Sequence, residues 1–226
     1  MPIIVSDLDG TILDVRNRFA HAQVNALASC GYTVTVDQVS PLMQLAFAMD
    51  YANFLGGLDI SMTPDKLVQY FSRIEEEFYK GWQHSFVFPG TIEVLKAVRP
   101  RVDALRLITS RAWVEETRRE VEFFGLDQVF DHHVFTRGDL ARVDGVNEVP
   151  LYPFFEHRQR LIKLAIADLD NQDDIWVIGD STVEMQTAQK LNATTVGVLT
   201  GFSTKQDLEP FCSHILDSIA DFSTLL

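Results

Sequence analysis

The sequence predicts an α/β fold: a parallel β-sheet with helices on both faces, interrupted after its first strand by a helical insert. Three observations lead there. Short β-branched runs end in polar loops, amphipathic stretches of helical period alternate with them through the later part of the chain, and one long segment of helical period separates the first run from the rest.

The elements follow in order. Ile3-Ile4-Val5-Ser6 is a short apolar run that stops at Asp7, with Gly10 soon after, as in a buried parallel strand that ends in a loop. Leu105 to Ile108, apolar except for Arg106, leads into Thr109-Ser110. Ile175 to Ile178 leads into Gly179-Asp180-Ser181, and Thr194 to Val198 is another such run. Between them Val114, Thr117, Val121 and Phe124 share a helix face, Glu115 is spaced to pair with Arg119, and Gly125 supplies a stop. Met185, Ala188 and Leu191 mark a further helix. Trp113 and Phe124 read as core residues.

Residues 15–85 differ. Phe19, Val24 and Leu27, then Leu42, Leu45, Ala46 and Met49, then Leu67, Tyr70, Phe71, Ile74 and Phe78 recur at helical spacing. Thr63-Pro64 has the form of a helix start, with the hydroxyl as cap and proline in the first turn. A short strand over Tyr32 to Val36 is the exception, and Pro89-Gly90 marks the return. The expected division is residues 1–14 and 86–226 as the core, with 15–85 as the insert.

A chain of 226 residues can bury one large core with an insert and needs no disulfide to do so. Cys30 and Cys212 match no metal-binding or redox spacing. A net charge of -13 disfavours nucleic acid and anionic membrane as partners. No apolar run is long enough to span a bilayer, and the amino terminus lacks a leader pattern. A cytoplasmic monomer or homodimer with a small-molecule ligand is therefore expected. If that ligand is phosphorylated, cations must reverse the field within the site.

Open parallel sheets bind ligands beyond the carboxyl ends of their strands. Asp7, Thr109 and Asp180 each fall at such an end and should meet at one rim, with Asp9 two residues past Asp7. Carboxylates gathered this closely repel one another unless protonated or joined by a cation, and hard oxygen donors favour magnesium. Beside a metal-neutralised phosphoryl group, one aspartate can attack phosphorus while another protonates the leaving oxygen and then activates water.

Ser6-Asp7-Leu8-Asp9-Gly10-Thr11 resembles the first motif of the haloacid dehalogenase superfamily, in its phosphatase, phosphoglycolate-phosphatase-like form. The resemblance implies a Rossmann-like core with an α-helical cap over residues 15–85, and magnesium as cofactor. It implies that Asp7 is the nucleophile, forming an aspartyl-phosphate, and also a metal ligand. Asp9 would ligate the metal through its carbonyl and serve as acid/base through its side chain. Leu107-Ile108-Thr109-Ser110 resembles the second motif, with Thr109 and Ser110 meeting the substrate phosphate. Val177-Ile178-Gly179-Asp180-Ser181 resembles the fourth, with Asp180 on the metal. Phe88-Pro89-Gly90-Thr91 resembles the segment that returns from the cap, and Val196 to Leu226 resembles the last strand and helix.

Two departures stand out. Glu184 occupies the place of a second aspartate; it could reach the metal through water, or serve with Ser181 as a capping box. The third motif, usually a lysine followed by proline, has no such pair within residues 154–163. Arg158 lies nearest the family's cation by its separation from Asp180, with Arg160 and Lys163 as alternatives. Histidines 21, 84, 132, 133, 157 and 214 form no ligand spacing and read as structural or surface residues.

Hydrolysis of a small phosphate monoester is the leading expectation. A phosphosugar mutase could use the same two aspartates, and a phosphoryl-accepting regulatory domain or a non-catalytic module are further alternatives. The large insert and the intact Asp7-Leu8-Asp9-Gly10-Thr11 run favour the enzyme. Asp14-Val15-Arg16-Asn17 departs from the usual cap start of phosphoglycolate phosphatases. Halide loss needs no acid such as Asp9, which disfavours a dehalogenase.

Overall fold

The computed structural model describes residues 1–47, 50–146, 154–170 and 172–226, so Met49 of the expected helical set lies outside the described residues. Its main sheet has six strands: β1 (Ile3–Asp7), β2 (Ala104–Thr109), β3 (Val134–Thr136), β4 (Ile175–Gly179), β5 (Thr194–Val198) and β6 (His214–Leu216). Their order is β3-β2-β1-β4-β5-β6, and every neighbouring pair is parallel. This is the α/β arrangement that the alternating pattern predicts, and the Rossmann-like core that the resemblance implies.

Strands β1 and β2 are buried along their whole length, which explains their nearly continuous apolar runs. Leu161, Ile162 and Ala165 from the helix Phe154–Ile166 pack with Met185 and Ala188 from the helix Thr182–Lys190 against Val5, Ile108 and Val177. Arg106, the polar exception in β2, is buried and reaches Asp168 with a 3.1 Å ion pair. In register, Asp7 lies opposite Ile108 and Ser6 opposite Ile178, so Asp7, Thr109 and Gly179 end their strands at one edge of the sheet.

Several local expectations change. Tyr32 to Val36 is not a strand: the Thr35 hydroxyl caps the helix Val36–Val39 and Gln38 completes the capping box. Thr63 does precede the helix Pro64–Lys80, but its side chain makes no capping hydrogen bond. Glu115 pairs at 3.0 Å with Arg142, while Arg119 faces Glu116 at 3.9 Å. Trp113 is 39% exposed and belongs to the surface. The tail from Val196 carries the short α-helix Lys205–Leu208 and the additional strand β6, and ends on the 3-10 helix Ile219–Thr224. Among the described residues, no helix is long and apolar enough to cross a membrane.

The chain separates into two compact units, Met1–Asp14 with Val87–Leu226, and Val15–Phe86. The second is helical, and its helices Arg16–Ser29 and Pro64–Lys80 pack together. Between them the buried Tyr70 hydroxyl donates to Gln23 Oε1. Phe19 packs edge-on to Phe47, with ring centroids 4.4 Å apart, and also against Phe78. Arg18 is fully buried there. Its Nε donates to the Phe78 carbonyl at 2.5 Å, Nη1 reaches Ser85 Oγ at 3.4 Å, and its guanidinium carbon lies 3.7 Å from the Phe78 ring centroid.

Truncating Arg18 removes its bond to the Phe78 carbonyl, which then keeps only the Gly81 N–H at 3.2 Å, and opens a cavity. Arg18→Ala is expected to lower stability by about 2–4 kcal/mol in urea unfolding followed by circular dichroism, and an unchanged midpoint would contradict the packing described.

Candidate active site

The site is built around the end of β1. Asp7 closes that strand and is only 1% exposed. The chain then turns sharply, with the Leu8 carbonyl accepting the N–H groups of Ile12 and Leu13 at 2.9 Å each, and the Gly10 N–H donating to the Leu13 carbonyl at 2.8 Å. Gly10 adopts φ +84°, and a Cβ there would lie 2.6 Å from Asp180 Oδ2. The turn therefore needs glycine both for its backbone angle and for the approach of Asp180.

Arg158, on the helix Phe154–Ile166, donates from Nη1 to Asp7 Oδ1 at 2.7 Å and to Glu184 Oε1 at 3.2 Å. Arg160 pairs with Asp144, and Lys163 is exposed. Glu184 lies in the first turn of the helix Thr182–Lys190. Its N–H is capped by Ser181 Oγ at 3.2 Å, while its carboxylate reaches inward to Arg158, so cap and buried ion pair coexist. Room for that carboxylate comes from Gly179, where a Cβ would sit 1.6 Å from Glu184 Oε2. Glu184 Oε2 is buried and has no hydrogen-bond partner among the described residues. Asp180 accepts the Phe202 N–H at 3.1 Å, and a Cβ at Gly201 would lie 1.8 Å from its Oδ2.

Thr109 Oγ1 accepts the Arg111 N–H at 3.3 Å. Ser110 Oγ lies 2.7 Å from His157 Nε2, with His157 buried. Asp9 turns to a different cation: Arg111 Nε and Nη2 meet its two oxygens at 2.9 and 2.6 Å. Arg111 also meets Glu120 at 2.7 Å. Asp7, Asp180, Glu184 and Arg158 thus share one buried cluster, Asp9 is held by Arg111 beside it, and Arg160 and Lys163 stand apart. Arg111, Glu120 and His157 are site residues that the sequence reading did not single out. Their signal is faint: Arg111 follows Thr109 by two residues and His157 precedes Arg158, but neither spacing reports which way a side chain turns.

Electrostatics follow from burial. Desolvation raises the carboxyl of Asp7, against the opposing pull of Arg158. Glu184 is pushed well above its ordinary value by desolvation and then by Asp7, and Asp180 is pushed up to about 7 for the same two reasons. Burial alone would lower the pKa of Arg158, yet Asp7 and Glu184 hold it above its ordinary value. Asp9 and Glu120 do the same for Arg111. Three buried carboxylates facing one guanidinium leave an excess of negative charge. Among the described residues, no three His, Cys, Asp or Glu side chains are grouped so as to hold a metal ion.

Comparison with known proteins gives the family and the fold. Residues 4–144 match a family model described as haloacid dehalogenase-like hydrolase, and residues 157–222 match one described as HAD-hydrolase-like. No curated protein matches the sequence. A provisionally assigned phosphatase from Clostridium difficile is similar with a TM-score of 0.76 at 17% identity, over 99% of this chain and 97% of that one. A predicted phosphoglycolate phosphatase from Haemophilus somnus gives 0.75 at 17%, over 100% and 97%. A provisionally assigned β-phosphoglucomutase from Thermotoga maritima gives 0.69 at 19%, over 100% and 98%. At these identities the likeness is one of fold.

The raised Asp180 has a measurable consequence in protein stripped of divalent cations. Its carboxyl binds a proton more tightly folded, at about 7, than unfolded, at its ordinary 3.8. Its contribution to stability is therefore greatest near pH 4, falls as pH rises towards 7, and is level above that. Asp180→Asn removes the charge and keeps an acceptor for Phe202. Urea unfolding at pH 8 should find the variant more stable by about 1–3 kcal/mol, with the difference vanishing near pH 4. Equal stability at both pH values would contradict a charge penalty at this position.

Proposed function

The chain belongs to the haloacid dehalogenase-like hydrolases, and from that premise we propose that it is a magnesium-dependent phosphatase acting on small phosphate monoesters through an aspartyl-phosphate. The observation that carries this reading is the Asp7 carboxylate, buried at the sheet edge and bonded to Arg158 among further acids. A buried nucleophilic carboxylate needs a cation beside it, both to stay ionised and to admit an anionic substrate.

In the first step an Asp7 oxygen attacks phosphorus, the bond from phosphorus to the leaving oxygen breaks, and Asp9 gives that oxygen its proton. In the second, water attacks the same phosphorus, Asp9 takes the proton, and the Asp7 carboxylate is regenerated as phosphate leaves. Arg158 offsets the charge of the phosphoryl oxygens. The Thr109 hydroxyl, whose oxygen accepts the Arg111 N–H, can direct its own proton to a phosphoryl oxygen. Ser110 can join only by sharing its bond to His157.

The donors suit magnesium. The Asp7 and Asp180 carboxylates and the Asp9 carbonyl would hold it, and the unpartnered Glu184 Oε2 could reach its shell through water. That set draws two donors from side chains and one from the main chain, so it does not call for three grouped carboxylates. When bound, the ion supplies charge neutralisation for the phosphoryl oxygens. The excess of buried acid, and the glycines that make room around Asp180 and Glu184, support this assignment.

The fold likeness to a β-phosphoglucomutase supports a second reading, transfer of the phosphoryl group to a sugar. A panel of phosphorylated metabolites, assayed for inorganic phosphate with and without magnesium, separates the two. Magnesium-dependent phosphate release is expected, and Asp7→Asn should abolish both turnover and trapped phosphoenzyme. Arg158→Ala should lose about 100-fold or more in kcat/KM, with Arg160→Ala and Lys163→Ala near wild type. An inactive Lys163→Ala beside a nearly normal Arg158→Ala would overturn the role given to Arg158.

A further inference from the structure

We propose that Arg111, braced by Glu120, is a positioning residue that holds the Asp9 carboxylate in its working orientation; this deepens the function above and rests on its assignment of Asp9 as acid/base. Arg111 grips Asp9 as a fork, Nε on Oδ2 at 2.9 Å and Nη2 on Oδ1 at 2.6 Å. Its other edge is held by Glu120, with Nη1 on Oε2 at 2.7 Å and Nη2 on Oε1 at 3.2 Å. The guanidinium plane is therefore fixed by carboxylates on two sides.

Its backbone is fixed as well. The Arg111 N–H donates to Thr109 Oγ1, and its carbonyl accepts the Arg137 N–H at 3.0 Å. The next residue, Ala112, packs so closely on the helix Arg137–Val143 that a Cβ at Gly138 would lie 2.2 Å from the Ala112 carbonyl oxygen. Glu120 comes from the helix Val114–Phe123 and is itself buried. The clamp thus refers the Asp9 side chain to two helices and to the end of β2.

A fork of this kind restricts rotation without consuming the carboxylate. Each carboxylate oxygen has two lone pairs, and a bidentate arginine engages one on each, leaving the others for a proton. Burying a guanidinium is unfavourable unless it is fully paired, so a cation whose service was stability alone would be matched or bettered by an apolar side chain. Asp9, by contrast, keeps its side chain 19% exposed, as a group that exchanges protons with a ligand requires. A single point charge could not hold the plane.

The test uses the protein with magnesium and two aryl phosphate probes, 4-nitrophenyl phosphate and phenyl phosphate, whose leaving groups differ in their need for a proton. Wild type, Asp9→Asn, Arg111→Ala, Arg111→Lys, Glu120→Gln and the double variant D9N/R111A are compared in kcat and KM. Arg111→Ala should lose about 100-fold in kcat on phenyl phosphate but about 10-fold on the nitrophenyl ester, with KM within about twofold. Arg111→Lys should recover little of the loss, and Glu120→Gln should show the same leaving-group split in weaker form. Because Arg111 acts through Asp9, the double variant should be no slower than Asp9→Asn.

Equal losses on both probes, full rescue by lysine, or additive losses in the double variant would each overturn the clamp. Should Arg111→Ala fail to fold, Arg111→Lys and Glu120→Gln carry the same comparison. A wild type that hydrolyses neither probe, or an Asp9→Asn with wild-type kinetics on both, would instead overturn the underlying function. A split in Asp9→Asn without one in the Arg111 variants defeats the clamp alone.

Discussion

Burial of acidic side chains at the carboxyl edge of a parallel sheet is the constraint to which the rest of the core answers. β1 is flanked by β2 and β4 and covered on both faces, so Asp7 at its end is withdrawn from water. An isolated carboxylate in such a place would be strongly disfavoured, and Asp180 and Glu184 beside it add like charge. Arg158 answers part of that charge. The steric consequences reach into three separate loops and strands, since Gly10, Gly179 and Gly201 each lie where a Cβ would collide with Asp180 or Glu184.

The same constraint bears on how an acidic protein would admit the anionic ligand that the proposed function requires. A charge of -13 gives the molecule a repulsive field at long range, and surface cations would be screened within roughly a Debye length. Arg158 and Arg111 are buried at the sheet edge, where water screens them least. Arg160, half-buried and paired with Asp144 away from the cluster, has no comparable leverage. Charge reversal is thus local and carried by guanidinium groups whose partners hold them in place.

The sequence discloses those features that depend on neighbours along the chain. β1, β2, β4 and β5 are visible because a buried parallel strand is a continuous apolar run, and their loop residues fall at the sheet edge by simple adjacency. β3 and β6 escape notice because each is three residues long, and His214 at the start of β6 is exposed. Tyr32 to Val36 misleads for the opposite reason: its β-branched residues suit a strand, yet one hydroxyl at Thr35 starts a helix. Glu115 has a partner at helical spacing and still takes Arg142 from another element, because exposed pairs of either kind are worth only a few tenths of a kcal/mol and helical spacing alone does not fix the partner. At the site, Asp7, Asp9, Thr109 and Asp180 stand out by motif and strand end, and Arg158 by its separation from Asp180. Arg111 and Glu120 do not stand out, because an arginine in a loop and a glutamate on an amphipathic helix look like solvated charges until the fold turns them inward.

Placing two aspartates two residues apart also requires that they be kept distinct. Similar side chains so close would be interchangeable if they shared one cation, and repulsion would leave their protonation states coupled. The fold separates them by giving each its own arginine and each arginine its own glutamate. Asp7 meets Arg158 by a single bond from Nη1, with Glu184 behind it from the helix Thr182–Lys190. Asp9 meets Arg111 through both oxygens, with Glu120 behind it from the helix Val114–Phe123. The turn through Gly10 makes that separation possible, because an extended chain from Asp7 to Asp9 would send both side chains to the same side. One residue type thus acquires two environments within three positions: a buried carboxylate under desolvation and one held flat at the margin of solvent. Under the roles proposed for them, nucleophile for Asp7 and acid/base for Asp9, that difference is in place before any substrate arrives.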